Sequence, residues 1–64
     1  MKTITQQMVT DSLNIAIDEN GYDDMLTWTP ERIADELCDY DADFEHTKPG
    51  DLIPFIVNYL EQRQ

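Results

Sequence analysis

The stretch Trp28-Thr29-Pro30-Glu31-Arg32-Ile33 leaves the chain little freedom. Thr29 carries a hydroxyl suited to accept a backbone N–H at a helix start. Pro30 follows, where a missing N–H removes no helical hydrogen bond. Glu31 falls in the first turn, where the helix dipole favours a carboxylate. Trp28 before the cap and Ile33 at the fourth helical position have the spacing of a hydrophobic staple. A helix therefore opens at Pro30. The apolar period carries it to about Asp41 or Phe44, with Ile33, Leu37, Tyr40 and Phe44 as its stripe and Ala34 at the edge.

Two other segments keep the helical period. From Thr5 to Asn20, Val9, Leu13, Ala16 and Ile17 share a face, widened by Met8 and Ile15. Gln7, Asp11, Asn14 and Asp18 fall opposite. Asn20-Gly21 is a stop signal, because glycine takes positive φ readily. His46-Thr47-Lys48-Pro49-Gly50-Asp51 reads as a turn. Asp51 then caps a third helix from about Leu52 to Gln62, with Pro54 in its first turn. Ile53, Ile56 and Leu60 centre its buried face, flanked by Leu52, Val57 and Tyr59. Between the first two helices, Tyr22 to Thr27 is a short helical turn or a loop that lowers Met25 and Leu26 into the core. No segment alternates as a strand does. The expected fold is a compact all-α three-helix domain spanning 1–64, with an extra short helical turn near residues 22–26.

A chain of 64 residues buries only roughly 60% of the surface its unfolded form exposes. Cys38 is the single cysteine, so no internal disulfide supplements the core, and a reducing compartment suits it. Met1 to Thr5 leads into polar residues and not into an apolar leader. No apolar run approaches the ~20 residues of a membrane span. A cytoplasmic protein is the expectation.

Charge then narrows the partners. Fourteen acids face four bases, a formal net charge of -10. Twelve of the acids lie between Asp18 and Asp51, where only Arg32 and Lys48 oppose them. Such a bias can mark disorder, but 41% of the residues are hydrophobic and fall in periodic stripes. Direct binding to DNA, RNA or an anionic membrane is disfavoured, since phosphates would repel the chain. A basic protein is the natural complement.

The acids crowd most densely in Glu-Leu-Cys-Asp-Tyr-Asp-Ala-Asp-Phe-Glu-His, residues 36–46. Metal binding is one reading. Asp39, Asp41 and Asp43 have the spacing of the first ligands of an EF-hand, but that loop needs glycine at its sixth position and glutamate at its twelfth. Phe44 and Gly50 stand there. Cys38 and His46 supply at most half of a zinc site. Catalysis is a second reading. It needs a carboxylate in an environment that shifts its pKa, and these acids sit in a polar cluster. There is no nucleophile–histidine–acid set and no phosphate loop. Neither an enzyme nor a cofactor is expected.

Charge display is the third reading. Glu31, Asp35, Asp39 and Asp43 recur every four residues, with Glu36 alongside, opposite Ile33, Leu37 and Tyr40. Neighbouring carboxylates on such a stripe lie about 5–6 Å apart, broadly like phosphates along a nucleic-acid strand. Asp41 and Glu45 support the stripe, and Asp18, Glu19, Asp23 and Asp24 form a second cluster. Tyr22 or Tyr40, if exposed, adds an aromatic anchor.

Thr29 to Leu37, Thr-Pro-Glu-Arg-Ile-Ala-Asp-Glu-Leu, resembles the opening helix of helix-turn-helix domains. The resemblance implies a scaffold only, because the next element is acidic where a groove-reading helix carries basic and amide side chains. In size and charge the chain is similar to phage-encoded inhibitors that mimic nucleic acid, anti-CRISPR proteins among them. That likeness implies an inhibitor or regulator that occupies the basic, nucleic-acid-binding surface of a partner protein. The alternative is a helical regulatory or structural module that works through apolar surface or homodimerisation, its acidity serving solubility alone.

Overall fold

The computed structural model describes residues 3–63. Met1 and Lys2, where the leader reading begins, lie outside the described residues. The elements are α1 (Gln6–Asn14), a π-helical turn (Ile15–Glu19), a 3₁₀ turn (Asp23–Thr27), α2 (Pro30–Tyr40), a second 3₁₀ turn (Ala42–Phe44) and α3 (Pro49–Arg63). The all-α architecture of three helices holds, and the short turn expected near residues 22–26 is present.

Thr5 caps α1, its hydroxyl accepting the Met8 N–H at 3.2 Å. Beyond Asn14 the helix widens. The Asn20 N–H bonds the Ile15 carbonyl at 3.0 Å, five residues back. Gly21 then takes φ 78°, as its place after the helix demands. The Tyr22 N–H closes onto the Ala16 carbonyl at 3.1 Å, one residue wider than the usual glycine-terminated helix end. Val9, Leu13, Ala16 and Ile17 are buried as expected. Ile15 is not: it opens the widened turn and is 45% exposed. Asn14 also departs from expectation, since it faces α3 and not solvent.

The α2 start matches its cap chemistry. Thr29 accepts the Arg32 N–H at 3.3 Å, Pro30 is the first helical residue, Ile33 is buried, and the half-buried Trp28 packs against the core. The α2 end differs. Helical backbone stops at Tyr40, and Asp41 turns extended at φ -107° and ψ 119°. The Asp41 carboxylate accepts the Asp43 N–H at 2.9 Å and so starts the second 3₁₀ turn. This local bond competes with continuation of the helix. Phe44 still reaches the core and is fully buried, but through that turn and not along the α2 stripe. Tyr40 lies off the core, 47% exposed.

α3 opens at Pro49, so Asp51 sits in its first turn and is not its cap. Pro54 is then interior and offers no N–H to the Gly50 carbonyl. The buried line is Leu52, Ile56 and Tyr59, while Ile53 and Leu60 are half-buried and Val57 faces solvent. Polar ties to α1 hold this rotation. Gln6 donates to the Phe55 carbonyl at 2.9 Å and accepts from Asn58 at 3.0 Å, and the Tyr59 hydroxyl donates to Asn14 at 2.8 Å. Of the two residues read as dropping from the 3₁₀ turn, Met25 is buried and Leu26 is exposed.

Candidate partner-binding face

The outer surface of α2 carries the charge. Glu31, Asp35, Glu36 and Asp39 are all exposed, opposite buried Ile33, Ala34 and Leu37. At about 100° per residue, Glu31, Asp35 and Asp39 share one edge, and Glu36 and Tyr40 share the other. The acidic display is thus two-edged. Asp43 leaves the four-residue stripe, because α2 ends at Tyr40; it lies exposed on the following turn with Glu45 nearby in sequence. Asp41 is half-buried, with a carboxylate engaged as the cap of that turn.

The Glu31–Asp39 edge runs beside Cys38. The thiol is half-buried and donates to the Thr47 carbonyl at 3.3 Å. Burial pushes its pKa up, and the Asp35 and Asp39 charges push it further in the same direction. A thiol held neutral in this way is a poor nucleophile. His46 is exposed on the turn. No group of three or more His, Cys, Asp or Glu side chains among the described residues is placed to hold a metal.

The other edge borders a small aromatic pocket of about 40 Å³. Its floor is Ala16, Met25 and Leu37, all buried. Its walls are Tyr22, Trp28 and Tyr40, and Glu36 completes the lining. Asn20 donates a hydrogen bond to the Tyr40 hydroxyl and so ties the α2 wall to the end of the π-helical turn. Both tyrosines read from the sequence as anchors are exposed here, Tyr22 by 51% and Tyr40 by 47%. Sequence reasoning did not place Trp28 or Asn20 at this site. Glu36 and Tyr40, four residues apart on α2, were the available signal; Trp28 lies on extended backbone before the helix begins.

Both arginines are engaged within the chain. Arg32 stacks over the Trp28 ring, 4.1 Å from its centroid, and makes no described ion pair. Arg63 pairs with Asp18 at 2.8 Å, the single ion pair among the described residues. Its guanidinium also donates to Tyr59 and Asn14. Those hydrogen bonds, Asp18 first and Tyr59 second, raise the Arg63 pKa further and keep it charged. A cleft of about 240 Å³ lies over this network between α1 and α3, lined by Gln6, Asn14, Asn58 and Arg63 among others.

No helix among the described residues is long and apolar enough to cross a membrane. Comparison with protein-family models, with curated proteins and with solved structures finds no match to this chain.

Proposed function

We propose that the protein is an interaction module that places the acidic outer face of α2 on the basic, nucleic-acid-binding surface of a partner protein. One observation carries this reading: α2 exposes Glu31, Asp35, Glu36 and Asp39, while its own cation Arg32 lies on Trp28 and not on a carboxylate. Like charges at four-residue spacing on a helix are mildly destabilising. An ordinary surface would intersperse bases among them. A face that keeps the repulsion is suited to a positive surface brought by another molecule. Asp35, Asp39 and Glu36 make the central contacts, with Glu31, Asp43, Asp41 and Glu45 around them. Inhibition of nucleic-acid handling by occupancy of the site is the expected consequence.

The test is capture from a source-cell extract on immobilised protein, eluted by salt steps, with duplex and single-stranded DNA as competitors. A basic protein should be retained at low salt, released as salt screens the attraction, and displaced by DNA. Asp35→Lys with Asp39→Lys should abolish capture. Asp11→Lys with Glu61→Lys is an equal charge reversal away from α2 and should leave most of it. Equal loss from both variants would reduce the effect to net charge. Capture indifferent to the α2 variant and to DNA would end the proposal.

The second reading, self-association through apolar surface, draws on Ile15, Leu26 and Val57, each at least 36% exposed. It predicts a melting temperature that rises with protein concentration.

A further inference from the structure

We propose that the pocket walled by Tyr22, Trp28 and Tyr40 receives a lysine side chain of the basic partner, with Glu36 at its rim meeting the ammonium group. This rests on the reading of α2 as the partner-binding face and names the anchor within it. Three observations favour this occupant. The walls are aromatic, and ring faces attract cations that lose their water. The lining holds one ionisable carboxylate, Glu36, and no base; Tyr22 is followed directly by Asp23 and Asp24, both exposed. The Trp28 ring already accepts a cation from this chain, Arg32 at 4.1 Å, and Arg32 is not part of the pocket lining.

Size selects within the cationic side chains. A cavity of 40 Å³ holds about three water-sized groups at roughly 10–15 Å³ each. That matches the end of a lysine chain, two methylenes and the ammonium. The methylenes would lie over Met25 and Leu37, and the charge would stay near the open side with Glu36. The pocket is also built before the ligand arrives: Asn20 holds the Tyr40 hydroxyl, and Trp28 is packed against the core. A preformed wall spares the ordering cost that weakens small contacts.

The probes are seven-residue glycine-serine peptides with a central lysine, arginine or norleucine. Trp28 is the only tryptophan, so its fluorescence and indole resonance report on the pocket directly. The lysine peptide should shift the Trp28, Tyr22 and Tyr40 signals saturably, about fivefold more tightly than norleucine, the increment of a cation–π contact near 1 kcal/mol. Tyr22→Ala should remove this preference, and Tyr22→Phe should keep it. Both changes sit at an exposed position, so folding is not at stake. Glu36→Gln should weaken the lysine peptide and leave norleucine unchanged. Equal binding of lysine and norleucine, tighter binding of arginine, no saturable shift, or equal behaviour of the two Tyr22 variants would each overturn the assignment. The acidic-face reading fails separately. If the peptides show no preference but Asp35→Lys with Asp39→Lys still abolishes capture, only the pocket is lost. If the pocket prefers lysine and capture ignores both sets of variants, the face reading is lost.

Discussion

At the scale of single residues, Ser12 and Cys38 sit where their neighbours do not suit them. Ser12 is buried on the core face of α1, and its hydroxyl has no hydrogen-bond partner among the described residues. A buried hydroxyl left in this state costs about 1–3 kcal/mol, and alanine is the better helix former. Ser12→Ala should therefore stabilise the fold by about 1 kcal/mol, read as a raised urea midpoint at unchanged slope. A lowered midpoint would mean that the hydroxyl is satisfied in solution. Cys38 gives a pH signature. Its folded-state pKa is raised, by burial first and then by Asp35 and Asp39. An unfolded cysteine titrates near about 8.5. Between that value and the higher folded one, the native state holds the thiol proton more tightly than the unfolded state. Stability from this group is thus complete below the unfolded value and is lost as pH rises through the folded one. Other groups also titrate in alkali, so the readout is a difference. Wild type should lose more stability than Cys38→Ala between neutral pH and pH ~10. Parallel curves would contradict the shift.

At the scale of elements, local side-chain chemistry made the start of α2 legible but misplaced that of α3, which opens at Pro49 and not after Asp51. The Thr29 cap and Pro30 made the opening of α2 legible, because each acts through neighbours in sequence. Thr29→Ala should destabilise by about 1 kcal/mol, the usual loss for a capping hydroxyl; an unmoved denaturation midpoint would mean that the 3.3 Å contact contributes nothing. The end of α2 was harder. Asp41 fits a helical period as well as it fits a cap, and the competition between them was decided by its bond to the Asp43 N–H. That single bond took Asp43 off the acidic stripe. The rotation of α3 was illegible for a different reason. Ile53, Ile56, Val57 and Leu60 allow several apolar faces. What chose among them was the polar row of Gln6 and Asn14 on α1, continued by Asp18 on the π-helical turn, which meets Asn58, Tyr59 and Arg63. A polar row on one helix reads as solvent-facing until its partner helix is known. The pocket was half legible. Tyr22 and Tyr40 were visible as candidate anchors, but their convergence with Trp28 needs the turn from Gly21 to Thr29.

At the scale of the whole molecule, one variable acts on fold and function with opposite signs. The net charge is -10 in a body of 31 × 21 × 19 Å. At 0.01 M salt the screening length is about 30 Å, so the carboxylates across the whole molecule repel one another. At 0.15 M it falls to about 8 Å, and only near neighbours still interact. Self-repulsion raises the energy of the compact state more than that of the expanded chain, where the charges are farther apart. The melting temperature should therefore climb as sodium chloride rises through this range. Over the same range, capture of a basic partner should weaken, because the attraction that steers the encounter is long-ranged. Asp35→Lys with Asp39→Lys changes the net charge by four units. It should raise stability at low salt and flatten its salt dependence while removing capture. A hydrophobic interface behaves differently: salt would leave binding unchanged or strengthen it, and the two lysines would matter little. Thermal melts and capture measured on the same salt series separate these cases. Opposite slopes for wild type, both reduced in the lysine variant, are the mark of a face held under repulsion for a positively charged partner. Parallel slopes would assign the acidity to solubility alone.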